Sequence, residues 1–370
     1  MRGSFGEHLK LSIFGESHGP GIGIVIDGIP AGTQINEEHI AAQMARRAPG
    51  RDKTTTSRSE ADAVELVSGV LNGRACGTPI MGLIRNKNTR SGDYAELANK
   101  MRPGHADYAG FIHYGGFADP RGGGHFSGRL TAPLVFAGTL ARDRLAESGV
   151  IIGSHILRVG DVCDTAFPLF PSDQSLLSLS ALPFPVLTPA TEQQMRNRIE
   201  QVRLSGDSIG GQIEVVALHV PAGIGAPFFG SVESVFSSLA FSVPAVKAVE
   251  FGDGTGLADM TGSEANDSLH VTDSLVLATS NHNGGITGGI TNGMPIVTRV
   301  TIKPTPSISK EQQTISLRPL ENTTLSIQGR HDPCILSRAP VVIESILAIT
   351  LLELMMDRAA TAPINERTIP

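Results

Sequence analysis

Residues Val341 to Met356 form the longest apolar stretch of the chain, and Glu344 and Glu353 are its only charged members. Pro340 stands just ahead of it, where the first turn of a helix tolerates proline because that N–H would have no intrahelical partner. The pattern predicts a helix over 340–357 that is apolar on nearly every face. It is too short and too polar to span a membrane. A helix of this kind has to be covered by protein on all sides, which predicts a helical layer enclosed by other elements, such as sheets.

The remaining pattern supplies candidates for those elements. Ile22 to Ile26 alternates as a strand does, and 63–70, 80–84, 211–220 and 294–302 read the same way. Helices are predicted at 37–47, with Asn36 as N-cap and Pro49-Gly50 as the stop, and at 130–147, 191–203 and 231–240. Strands and helices do not follow a regular βαβ rhythm. The Pro-, Ser- and Leu-rich stretch 165–190 reads as a loop excursion.

Hydrophobic content of 40% against 18% charged residues is enough for a large core and argues against disorder. A net charge of −6 argues against a nucleic-acid surface. Arg46, Arg47, Arg51 and Lys53, and again Arg121 and Arg129, nevertheless gather beside glycines, as suits binding of a small anion. Cys76, Cys163 and Cys334 form neither a disulfide framework nor a CxxC pair, which predicts a reducing cytoplasm. The N-terminal residues lack the long apolar run of a secretory signal.

Five of the eleven histidines lie in loops rich in glycine or proline: GESHG at 15–19, RPGHAD at 102–107, RGGGHFSGR at 121–129, SNHNGGITGGITNG at 280–293 and GRHDP at 329–333. Imidazole suits proton transfer near neutral pH, and glycine lets backbone N–H groups approach an anion. The triglycine segment feeds a predicted helix N-terminus, an arrangement that binds phosphate, although it is neither a Walker A loop nor a dinucleotide fingerprint. Taken singly, His18 is equally a turn-capping histidine, and the Arg102 to Asp107 segment equally a surface turn. Asp332 is a proton acceptor or an Asx-type turn residue before Pro333. No HExxH or other metal-ligand spacing occurs, so no metal is expected. A phosphate-binding module without catalysis would leave His18, His105 and Asp332 without work, and an ordinary flavin oxidoreductase would oxidise a substrate stoichiometrically with reduction of its cofactor.

GESHG, the Arg46–Arg51 stretch, RPGHADY, GGGHFSGR, SNHNGGITGGI, KPTPSI at 303–308 and GRHDPC occur in an order and at separations that closely resemble chorismate synthase, over nearly the whole chain. The resemblance implies an α+β fold: a single-domain β-α-β sandwich with internal helices between antiparallel sheets, assembled as a homotetramer. It implies a lyase that converts 5-enolpyruvylshikimate 3-phosphate to chorismate by 1,4-anti elimination of phosphate, dependent on reduced FMN although the reaction has no net redox change. NADPH as flavin reductant, or a separate flavin reductase as partner, would keep the cofactor reduced.

By motif, the same resemblance makes His18 the acid that assists phosphate departure, His105 the histidine acting on reduced flavin, and Asp332 the carboxylate that relays the substrate proton, with Ser17 and Ser127 as helpers. Flavin contacts are implied for His125, Phe126, Ser127, Pro244, Ala245, Gly288, Lys303, Pro304, Thr305, Pro306, Ser307 and Arg330, and substrate contacts for Arg46, Arg47, Arg51, Arg129 and Arg330. One departure stands out. Many members read Arg-Ser-Ser-Ala-Arg where this chain has His125-Phe126-Ser127-Gly128-Arg129, so a cation and a hydroxyl of the family motif are replaced here by an imidazole and a phenyl ring.

Overall fold

The computed structural model describes residues 3–50, 62–86, 99–327 and 332–361. Two five-stranded antiparallel sheets enclose a layer of helices. The first sheet runs Ser4–Phe5, Lys10–Gly15, Gly21–Asp27, Ile80–Arg85, Glu65–Ser68 in spatial order. The second runs Val246–Phe251, Ile296–Ile302, Gly211–Leu218, Ile151–Val159, Val162–Cys163. In the first sheet Ile22, Ile24, Ile26, Ile80 and Ile84 are all within 1% of full burial. Their period of two turns one face toward the helices.

The predicted internal helix is there, over Ala339–Ala360, and every residue from Pro340 to Leu354 is buried. It packs along a second internal helix, Thr131–Ala146. The two approach so closely at Gly138 that a Cβ there would overlap Ser345. On the other side, Phe136 of the Thr131–Ala146 helix fills the space above Gly82 of the first sheet, and Ser154 of the second sheet donates to Glu344 of the C-terminal helix at 2.7 Å. Ala339–Ala360 is also the one helix among the described residues long and apolar enough to cross a membrane, and its central window is 89% buried inside the protein. The sandwich with helices between antiparallel sheets stands as the sequence led one to expect.

Glu344 is a buried carboxylate in this apolar layer, and four donors hold it. Arg46 binds it bidentately at 2.6 and 2.8 Å, Arg142 adds 2.6 Å and Ser154 completes the set. Burial would raise its pKa, but the two guanidinium groups outweigh that and lower it to about 2.

The stretch 165–190 differs from the loop reading. It contains a helix, Asp173–Ala181, capped by the Ser172 side chain and held by buried Leu176 and Leu179 against the second sheet, where Gly153 makes room for Leu176. Its ends are tied down by buried charge. Glu214 accepts the Phe167 N–H at 2.7 Å and Asp164 the Leu187 N–H at 2.6 Å, and His155 lies between the two carboxylates. Prolines at both ends hid the short helix from a periodicity count.

Candidate active site

Along one side of the helical layer opens a cleft of about 1540 Å³. Ser17, His18, Arg47, Arg102, His105, His125 to Arg129, Pro244, Ala245, Lys303, Thr305 to Ser307, Asp332 and Arg338 all line it. Motifs from remote parts of the chain therefore share one cavity.

The triglycine loop organises the meeting. Gly122, Gly123 and Gly124 have φ of 59°, 84° and 52°, in the left-handed region that glycine adopts at little cost. A Cβ on Gly122 would overlap the His18 imidazole, and one on Gly123 would lie 3.1 Å from Nε2 of His105. Successive glycines thus seat the two histidines. The Gly124 carbonyl accepts the Ser17 N–H at 3.1 Å, which fixes the GESHG turn to this loop. No side chain larger than hydrogen fits this seat.

His105 is held from its other side. Its Nδ1 lies 2.5 Å from Asp107 Oδ1, and Arg102 grips the same carboxylate through Nε at 2.7 Å and Nη2 at 2.8 Å. Burial works to raise the Asp107 pKa, but the bonds from Arg102 and His105 hold it well below the usual carboxylate range.

A second cluster turns cations toward the cleft. Asp62, whose side chain is fully buried, accepts from Arg47 at 2.9 Å and from Arg129 at 2.5 Å. Arg47 also donates to the Gly128 carbonyl at 2.7 Å. Asn86 accepts from Arg129 at 2.9 Å while donating to the carbonyls of Glu16 and Gly19, which joins this cluster to the His18 turn. Desolvation would raise the Asp62 pKa, yet the two arginines lower it, so the carboxylate stays charged.

On the opposite wall, the Lys303 N–H donates to the Ala245 carbonyl at 2.9 Å, and Ala245 holds φ at 76°, a strained value for a residue with a side chain. Lys303 bonds through Nζ to the Gly104 carbonyl. Partial burial first, then nearby Lys247, lower its pKa. Thr305 donates to the Asp332 carbonyl at 2.8 Å, and the Asp332 carboxylate is paired with Arg338.

Not every implied site residue faces the cleft. Arg46 is turned into the core by Glu344, one helical position from Arg47. Pro304 is not among the lining residues, and Gly288, at the turn of the Ile286–Thr291 hairpin, lies outside the cleft while its neighbour Gly289 packs on Ser231 near the rim. Arg51 and Arg330 lie outside the described residues. His125 bonds the Gly15 carbonyl through Nδ1 at 2.9 Å, and the Phe126 ring packs over Gly110 beside Tyr114. Asp62, Asn86, Asp107 and Arg338 were absent from the sequence-derived set of site residues. Arg338, directly before a helix opening in Ala-Pro, and Asp107, two residues after His105, carried some signal; Asp62 and Asn86 carried none.

A family model described as chorismate synthase matches residues 9–356. The chain is 44% identical to the chorismate synthase of Aeropyrum pernix over 98% of this chain and 95% of that one. It is 41% identical to that of Thermococcus kodakarensis, over 96% and 98%. Among solved structures, a crystal structure of chorismate synthase superposes with a TM-score of 0.75 at 29% identity, covering 96% of this chain and 93% of the other.

Proposed function

The chain belongs to the chorismate synthase family, lyases that form chorismate in aromatic amino-acid biosynthesis, and from that premise we propose how it works: 5-enolpyruvylshikimate 3-phosphate is the substrate, reduced FMN the cofactor, and His18, His105 and Asp332 the groups that handle protons. The observation that carries this reading is the seating of His18 and His105 on Gly122 and Gly123 in a cleft shared with Asp332 and several cations.

The donor set fits a flavin phosphate and ring. Lys303, Thr305, Ser307 and Ser127 offer charged and hydroxyl donors, and Pro306, Pro244 and Ala245 offer flat apolar surface. When bound, reduced flavin supplies transient electron density that helps phosphate leave without net redox change. Because the Phe126 ring is engaged with Gly110, backbone groups of 125–127 rather than that side chain serve the cofactor.

Arg47 and Arg129 neutralise substrate anions in this reading, His18 protonates the departing phosphate, His105 faces the cofactor, and Asp332 takes up the substrate proton, with Ser17 and Ser127 assisting. Arg51 and Arg330 are assigned to anions by motif, and Gly288 and Pro304 to the cofactor, whereas Arg46 is assigned to the core. We assign the enzyme to the cytoplasm as a homotetramer. Leu269, Val271, Leu275 and Val276 are exposed on one hairpin, and that exposed apolar surface supports self-association. NADPH, or a separate flavin reductase, supplies the reducing equivalents.

The test is an anaerobic assay with the substrate and reduced FMN, with and without NADPH. Chorismate should form only with reduced flavin, and turnover under air with oxidised flavin would overturn the proposal. His18→Ala and His105→Ala should each lower turnover by roughly 10²- to 10⁴-fold.

A further inference from the structure

We propose that Asp107 is a positioning residue for the reaction: it keeps the proton of neutral His105 on Nδ1 and thereby presents Nε2 to the cleft. An ionised carboxylate only accepts hydrogen bonds. At 2.5 Å from Asp107 Oδ1, Nδ1 must therefore be the donor. Nε2 lies beside Gly123, whose missing Cβ keeps that nitrogen clear of a side chain, and His105 itself lines the cleft.

Arg102 is what makes Asp107 fit for this. Its backbone N–H and Nε both reach Asp107 Oδ2, at 3.1 and 2.7 Å, and Nη2 reaches Oδ1 at 2.8 Å. The carboxylate is thus fixed in plane by one side chain two positions before Gly104, while His105 lies three positions along the same turn, its N–H bonded to the Arg102 carbonyl at 3.2 Å. Arg102 Nη2 also lies 3.1 Å from His105 Nδ1. A bare Nδ1 could accept from that guanidinium, but it would then stand 2.5 Å from a carboxylate oxygen, lone pair against lone pair, while Nη2 already donates to Asp107 Oδ1 at 2.8 Å, so the closer contact to the carboxylate decides. Arg102 is buried and Asp107 largely so, with side-chain exposures of 8% and 12%, so water does not offer the imidazole an alternative acceptor of equal strength. The histidine is left with one tautomer when neutral and one nitrogen for chemistry.

The inference rests on the reading of His105 as a group that acts on the cofactor, and two readouts separate the two claims. The first is the ¹⁵N spectrum of histidine-labelled protein above the pH at which the ring is charged, with the His105 signal identified by its loss in His105→Ala. Wild type should show a protonated Nδ1 and a bare Nε2, and Asp107→Asn should show a mixture or the reversed tautomer. A wild-type ring protonated on Nε2, or an unchanged tautomer in Asp107→Asn, overturns the proposal whatever the activity. The second is a double-mutant cycle under anaerobic turnover. Asp107→Asn should lower kcat by about 10²-fold with little change in KM, and should cost almost nothing more in a His105→Ala background. An equal loss in both backgrounds would make Asp107 a merely structural residue and overturn the proposal. Full turnover by His105→Ala alone would instead count against the reading of His105, while the spectrum still decides the role of Asp107.

Discussion

Asp62 shows how one residue can set the charge of a binding cleft. A lone buried carboxylate is costly, and so are two buried guanidinium groups, but at 2.9 and 2.5 Å the three offset one another. Burial draws the Arg47 pKa below the usual arginine range, while Asp62 pulls it back up. The group therefore leaves a net positive charge beside the cleft, held in place before any anion arrives. Asp62→Asn should both destabilise the protein, by about 3 kcal/mol as for a broken buried pair, and raise KM more than it lowers kcat. Urea denaturation and steady-state kinetics would check the two effects. Unchanged stability together with unchanged KM would show that the arginines need no such anchor. The contrast between Arg46 and Arg47 belongs to the same scale. Adjacent helical residues point about 100° apart, so one meets Glu344 in the core and the other meets Asp62 at the cleft. The family resemblance implied a substrate contact for both, and nothing local marks which face of the helix is turned inward.

Among the elements, the Ala339–Ala360 and Thr131–Ala146 helices pack along each other inside the sandwich, and at Gly138 a Cβ would overlap Ser345. Gly138→Ala should force the helices apart and cost about 1–3 kcal/mol of overpacking, more than offsetting the gain in helix propensity of roughly 1 kcal/mol. A calorimetric melting temperature equal to or above that of the parent would contradict this packing. These helices were legible because their signals are strong and local: Pro340 with a long, mostly apolar run in one, a triglycine lead and a run rich in Ala and Leu in the other. The strands were legible for the same reason, as in Ile22–Ile26. What one chain does not display is which strands pair, since the Gly21–Asp27 strand meets Ile80–Arg85 across more than fifty intervening residues. The histidine loops could be read as chemistry because glycine and histidine rarely alternate for packing alone. Their seating on one another depends on left-handed φ at Gly122 and Gly123, a property of the folded backbone.

Away from the Asp62 cluster, two further groups of buried charge lie in the scaffold that holds the cleft. Glu344 ties the C-terminal helix to Arg46, Arg142 and the second sheet, while Asp164 and Glu214 hold His155 and the 165–190 excursion. Glu344 has a pKa of about 2 against an ordinary 4.5; burial opposes the shift, and the arginines cause it. Asp164 is likewise held at about 2 against 3.8, with burial opposing and His155 and the Leu187 N–H among the groups that lower it. Because these folded-state values are depressed, the stability they contribute is present above pH 4.5 and is lost as pH falls toward 2. His155 behaves in the opposite sense. Burial lowers its pKa, but its pairing with the acceptor carboxylates of Asp164 and Glu214 raises it overall, so its contribution is full below 6.5 and fades as pH rises through the raised value. Urea midpoints should therefore fall steeply between about pH 4.5 and pH 2. In Glu344→Gln the acid slope should be shallower and stability at neutral pH lower by about 3–5 kcal/mol, since two buried guanidinium groups lose their counter-charge. The loss should reach the site as well, because Arg46 is adjacent to Arg47 on one helix: a wild-type acid slope in Glu344→Gln would mean that this carboxylate does not bind the helical layer to the sheet.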